Sequence, residues 1–316
     1  MQSKVLNTIQ KTWLLIFIAI CFVFIFGYLY RTAEHFEYPL RVATTYLVLS
    51  VLTQIVFWLL AGDIWRHIVA VTAGARLTIL GSLAQLFTMS LGKYLPGKVW
   101  GMLARGALMR HQGINTDSVV IATFFEQFLM LQASLVLSLL LFAFLFYGPL
   151  SWLAVFAAII VVVFGPQLRI FAIAAYVKIS AWLGRGAICV NKITMGQNDQ
   201  RVLLLKFIFL WILNGLVLAS LYFTFFESSY SNRLLATLIF ANTVGITLGF
   251  LAIFAPGGIG VREGITSAIL VNQIPLADAV LLSLLYRLWV VVVELAGGLL
   301  SLWAARALLL RKNNSL

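Results

Sequence analysis

The sequence predicts an all-α, polytopic integral membrane protein of six spans and two re-entrant hairpins in an inverted-topology repeat. Three observations carry that reading. Of 316 residues, 62% are apolar, and the mean hydropathy is +1.03. The apolar residues fall in blocks near the ~20 residues that a helix needs to cross ~30 Å of hydrocarbon, with charges gathered in the short loops between. Two Pro-Gly breaks, Leu95-Pro96-Gly97-Lys98 and Ala255-Pro256-Gly257-Gly258, interrupt otherwise apolar stretches. In hydrocarbon, irregular backbone survives only where it is buried in protein or lines a cavity. Paired breaks in the two halves of such a chain are therefore the best sequence pointer to a binding site.

Thr12–Tyr30 is the first span. It follows a short basic stretch and lacks the small-residue cleavage pattern of a signal peptide, so it reads as a retained anchor. Val42–Ala61 is the second, closed by Gly62-Asp63. Leu77–Leu91 is short for a crossing, and Lys98–His111 returns, so 77–113 reads as the first hairpin. Ser118–Tyr147 spans up to Gly148-Pro149, and Trp152–Phe164 is a short span ended by Gly165-Pro166. Residues 167–202 form a basic, cytoplasmic, amphipathic linker with Arg169, Lys178, Arg185, Lys192 and Arg201 against Asp199. Its Phe171–Leu183 part is suited to lie along the membrane surface. Leu203–Phe226 spans again. Leu234–Phe254 runs to the second break and Ile265–Val271 is too short to cross, which makes 234–272 the second hairpin. The last span is Leu281 to Leu308. Hydropathy leaves a rival count of eight spans, in which each hairpin arm crosses completely.

The basic sides are the N-terminus, the 62–78 loop, the 167–202 segment and the C-terminus, which places both termini in the cytoplasm of a cell inner membrane protein. The first hairpin then leaves from and returns to the cytoplasmic side, and the second does so on the outer side. The matching contexts support a repeat. Ala84–Gly92 and Ala241–Gly249 share three identities and two close pairs, Gln85/Asn242 and Ser90/Thr247. A polar dipeptide also recurs 30–31 residues past each proline, Glu126-Gln127 and Tyr286-Arg287. The chain thus reads as a single membrane domain, 1–316, with a first repeat over 42–147 and a second over 203–308.

Composition also excludes functions. A formal charge of +12 belongs here to cytoplasmic loops and anionic headgroups, and nucleic acid is not an expected partner. Cys21 and Cys189 do not make a disulfide framework, and the three histidines (His35, His67, His111) stand in unrelated loops. No metal site and no cofactor are expected. No nucleophile–base–orienter set emerges either, so an enzyme is the weaker reading.

The candidate site residues cluster at the breaks. Lys93, Lys98 and Arg105 surround the first, with Lys98 and Arg105 two turns apart on one helical face. Pro96 suits the first position of a new helix, whose free N–H groups and positive end attract anions. Cations joined to a helix start are a phosphate-binding constellation; the alternative is charges that snorkel to the interface. At the second break Gly257 and Gly258 allow close backbone approach to a ligand. Arg262 and Glu263 either pair with hairpin charges or cap the hairpin. Glu126, Arg287 and Glu294 lie within spans, where an ionisable residue is a functional candidate by default. An ion pair between the halves, Glu126 with Arg287, is the bland alternative. Asn214, Asn242, Gln127 and Gln85 either line the same cavity or join helices.

The motifs Leu95-Pro96-Gly97-Lys98-Val99-Trp100-Gly101, with Glu126 downstream, and Ala255-Pro256-Gly257-Gly258-Ile259-Gly260-Val261-Arg262-Glu263 resemble the paired signatures of the lysylphosphatidylglycerol synthase transmembrane region. The resemblance runs over about 40–310. It implies a membrane domain that flips lipid in members fused to a cytoplasmic aminoacyl-transfer domain. With the sequence ending at Leu316, that domain is expected to be lacking and lysyl-lipid synthesis is not implied. Gln127 departs from the arginine often found there in the family, and an arginine stands instead at Arg287.

The function expected on these grounds is a lipid flippase. An anionic lipid headgroup would be the partner, either a phospholipid or a polyprenyl-phosphate-linked sugar, the latter from the family's association with polysaccharide biosynthesis. Lys98, Arg105 and Arg262 would receive the phosphate, with Glu126 and Arg287 in the cavity wall. The first hairpin is expected to hold the headgroup and the second to close against it. The alternative is a non-catalytic membrane partner that anchors a glycosyltransferase or lipid synthase through 167–202.

Overall fold

The structure is a computed structural model and describes residues 42–92, 100–111, 113–182, 195–226, 229–252 and 255–313. Among these the chain is all-helical apart from turns. Helix α1 (Thr44–Ala73) does not stop at Gly62-Asp63 but runs to Gly74, whose φ of 64° ends it. The charges that looked like a loop are paired on the helix flank. Asp63 meets Lys206 at 2.6 Å and His67 meets Asp199 at 2.9 Å. With partners from another helix, the polar turn has no need to leave the helical conformation.

Two short helices follow, α2 (Ile79–Gly92) and α3 (Trp100–His111). They lie close because Gly101 has no side chain: a Cβ there would stand 2.5 Å from the Met89 carbonyl oxygen. Helix α4 (Thr116–Leu145) starts at Asn115, whose side chain accepts the Asp117 N–H at 3.2 Å, an N-cap that satisfies one orphan donor.

Helix α5 (Pro149–Trp182) continues past Gly165-Pro166, with Pro166 inside it. Proline removes the N–H that would bond the carbonyl four residues earlier, that of Val162. In the same turn, the Gln132 side chain of α4 donates to the Val161 carbonyl at 3.0 Å. The proposed surface segment 171–183 is therefore, up to Trp182, the second half of α5 and not a separate element.

Helix α6 (Gln197–Phe225) begins before the predicted Leu203. Helix α7 (Asn232–Leu251) is capped by Ser231, which accepts the Leu234 N–H at 3.0 Å. A 3-10 turn (Pro256–Gly258), α8 (Val261–Leu270) and α9 (Leu276–Asn313) complete the chain.

Six of these helices, α1, α4, α5, α6, α7 and α9, hold segments long and apolar enough to cross a membrane. The membership differs from the sequence reading. The predicted span Thr12–Tyr30 lies outside the described residues, and α7, predicted as a hairpin arm, has the length of a full crossing.

Helix α1 packs on α2, α2 on α3 and α3 on α4; α6 packs on α7, α7 on α8 and α8 on α9. Helices α1 and α6 are in extensive contact, α2 leans on α9, and α7 leans on α4. Helix α5 sits outside this ring and packs chiefly on α4. One apolar core gathers around Trp65, Met109, Phe125 and Trp211. A second gathers around Leu218, Tyr222, Leu238 and Leu270.

Candidate functional site

A cavity of about 250 Å³ lies where α1, α2, α4, α6, α7, α8 and α9 converge. Its wall is mostly apolar and aromatic (Phe57, Trp58, Phe207, Trp211), with a few polar groups: Gln54, Ser90, Asn214, Tyr286, Arg262, Glu126 and Glu294. This combination of apolar walls and sparse, placed polar groups is the usual make-up of a ligand site.

Each hairpin is tied to the helix after it by an arginine–glutamate contact. In the first half Arg105 of α3, 1% exposed, reaches Glu126 of α4 with Nη1 at 2.5 Å and Nη2 at 3.4 Å. Its guanidinium lies 3.9 Å over the Trp65 ring. Trp65 in turn donates its indole N–H to Gln85 Oε1 at 2.7 Å. In the second half Glu263 of α8 stands 3.9 Å from Arg287 of α9. Arg287 also donates to the Gly257 carbonyl at 3.0 Å. The second Glu263 oxygen accepts the Gly260 N–H at 2.7 Å, closing the start of α8. The two contacts have opposite sense: the cation is on the hairpin in the first half and on the following helix in the second.

Between them, Asn242 donates to Asn214 at 2.7 Å, and Tyr286 donates its hydroxyl to the same Asn214 oxygen. Such bonds join helices inside hydrocarbon at a gain of ~0.6 kcal/mol each on average. Gln85 and Asn242, matched in the sequence repeat, are both 1% exposed and both bond across helices.

Arg262 stands apart. It is 8% exposed, its guanidinium lies 4.7 Å over the Tyr286 ring, and its Nη2 has no hydrogen-bond partner. The indole N–H of Trp58 is also buried without an acceptor. Both residues line the cavity.

The model of one protein family, the lysylphosphatidylglycerol synthase TM region, matches residues 4–298. The chain belongs to this family. No curated protein matches it. Family membership, together with the apolar helices, makes the chain a membrane protein.

Of the candidate site residues, Lys93 and Lys98 lie outside the described residues. Arg105 does not snorkel to an interface; Glu126 holds it inside the bundle. Glu126 therefore pairs within its own half, and Arg287 likewise meets Glu263 and not Glu126. Gly257 and Gly258 take φ of 60° and 71° in the turn, and Gly258 lies so near α7 that a Cβ would stand 2.8 Å from the Gly249 carbonyl oxygen. Glu126, Arg262 and Glu294 reach the cavity together with Asn214, whereas Gln85 and Gln127 do not line it. Sequence reasoning missed Trp58, Trp211 and Gln54. Tryptophans inside apolar spans carry no sign of which face they occupy; only Gln54, polar within a span, gave a signal.

Proposed function

We propose that this family member moves an anionic lipid across the membrane, its headgroup phosphate held in the central cavity by Arg262 and Trp58. One observation carries the reading: Arg262 and Trp58, both residues of the cavity wall, each hold a buried donor, Nη2 and Nε1, without an acceptor. A buried donor left unbonded costs about 1–3 kcal/mol, more when charged. A phosphate supplies several anionic oxygens to both donors at once, and arginine matches that geometry. Arg105, expected to share this task, has its charge taken by Glu126, and on this reading Arg262 of the second hairpin receives the headgroup.

The architecture supports movement around this point. At 1.5 Å per residue, α8 is about 15 Å long, short of a ~30 Å hydrocarbon core. Helices that end inside the membrane beside a cavity are where transporters hold charged ligands. The two halves follow the same packing order, and the α1–α6 contact joins them. An inverted repeat would rock about that contact.

The test is reconstitution in vesicles with a fluorescent phosphatidylglycerol and a dithionite readout of its appearance in the outer leaflet. Arg262→Gln is expected to slow transfer by tenfold or more and Arg262→Lys by less, with both variants monodisperse. Transfer by Arg262→Gln at the wild-type rate would refute the reading.

A further inference from the structure

The molecule holds a second buried arginine that the central cavity does not use. Arg169 lies in the second half of α5, one turn past the Gly165-Pro166 break. It is 1% exposed, although its neighbours Leu168, Ile170 and Phe171 are 59%, 66% and 74% exposed. An arginine serving only the interface would turn outward with them and snorkel to water. Arg169 turns inward instead, its guanidinium 5.1 Å from the Phe125 ring of α4. Its Nη2 has no hydrogen-bond partner, and among the described residues no carboxylate pairs with it. The contrast with Arg105 is direct: the same side chain, equally buried, but one has Glu126 and the other only a ring.

A cation–π contact gives at most ~2 kcal/mol or somewhat more, and burying an unpaired charge costs several. The charge therefore calls for an anion that the helices do not provide. The location says which kind. Helix α5 is peripheral and touches the bundle chiefly through α4, so the crevice holding Arg169 lies at the edge of the bundle, beside the exposed apolar side chains Leu168 and Ile170. Arg169 lies 20 residues, about 30 Å, past Pro149 and two residues before the end of the apolar segment Pro149–Phe171, a level near the headgroup boundary of a ~30 Å core. Basic pockets between helices at such a level bind the phosphates of anionic lipids.

We propose that Arg169 forms a second lipid site, distinct from the transport cavity, in which the phosphate of an anionic phospholipid binds between α4 and α5. A lipid held there fixes the outer helix α5 to the bundle by its headgroup, while its chains cover the exposed apolar face beside it. The site stands on its own residues and is independent of the reading given to Arg262.

The experiment compares wild type, Arg169→Gln, Arg169→Lys, Arg262→Gln and the double variant Arg169→Gln/Arg262→Gln in mild detergent. Native mass spectrometry reads bound phosphatidylglycerol, and thermal unfolding is recorded without lipid, with phosphatidylglycerol, with phosphatidylcholine and with inorganic phosphate. In wild type, phosphatidylglycerol but not phosphatidylcholine is expected to raise the unfolding temperature. Arg169→Gln should lose one phosphatidylglycerol adduct, with occupancy down about tenfold. It should also unfold no earlier than wild type without lipid, since it removes an unpaired buried charge. Arg169→Lys should keep most of the adduct, and the double variant Arg169→Gln/Arg262→Gln should carry one adduct fewer than Arg262→Gln alone. Equal adduct occupancy in wild type and Arg169→Gln would overturn the proposal. So would stabilisation by inorganic phosphate as strong as by phosphatidylglycerol, which would indicate a free-anion site. Earlier unfolding of Arg169→Gln without lipid would mark Arg169 as a packing residue and overturn it too.

Discussion

Arg105 and Glu126 show how much at the residue scale depends on the partner. Neither charge is tolerable alone at this depth, so truncating either leaves the other buried and unpaired. Arg105→Ala and Glu126→Ala should each lower stability by about 3–5 kcal/mol, whereas the double variant Arg105→Met/Glu126→Leu should recover most of it. Unfolding of the purified variants in detergent checks this; a double variant as unstable as the singles would contradict it. The sequence marked both residues as candidates but not as partners. The seven-residue spacing of Lys98 and Arg105 defines a face, and a face carries no information about what it meets. The alternative of an ion pair between the halves, Glu126 with Arg287, rested on opposite signs alone and ignored where the hairpins lie. Arg169 was read as one charge of a basic linker because its inward turn depends on α4, which local sequence cannot report.

At the element scale, glycine contacts set the geometry of the second hairpin. A Cβ on Gly249 would come within 3.0 Å of the Arg262 side chain, so α7 and α8 approach at a distance that only a bare backbone allows. Gly249→Val should cost about 1–3 kcal/mol by overpacking and displace Arg262. It is expected to lower stability and lipid transfer together, whereas Arg262→Gln lowers transfer alone; unfolding curves and vesicle assays on both variants separate the cases. Helix existence was legible throughout the described chain because apolar blocks of this length have few alternatives in a membrane. Helix ends were less so. Gly62-Asp63 and Gly165-Pro166 are strong local stops, yet α1 and α5 run through both. At the first, Lys206 from another helix meets the Asp63 carboxylate; at the second, Gln132 of α4 bonds a backbone carbonyl in the turn before Pro166.

For the whole molecule, the side of the membrane on which each loop emerges sets the geometry. The length of α8 and the charge distribution make one forecast. Cysteines placed at Arg76 and Asp117, which flank the first hairpin, should be labelled from the same side of the membrane, and one at Asn272 from the other. An impermeant maleimide on intact and permeabilised cells, with Cys21 and Cys189 replaced by serine, checks this. Labelling of positions 76 and 117 from opposite sides would mean that the first hairpin crosses. Fold class and family were readable from hydropathy and the two Pro-Gly motifs. The cavity was not, because its wall draws Trp58, Asn214, Arg262 and Glu294 from four helices separated by long stretches of chain.

The opposed sense of the two arginine–glutamate contacts has an electrical consequence. In one, the cation is on α3 and the anion on α4; in the other, the anion is on α8 and the cation on α9. Each contact is a small dipole, and along the chain the two point in opposite directions. Pulling α3 from α4 would bare a cation on the earlier helix, and pulling α8 from α9 would bare an anion there.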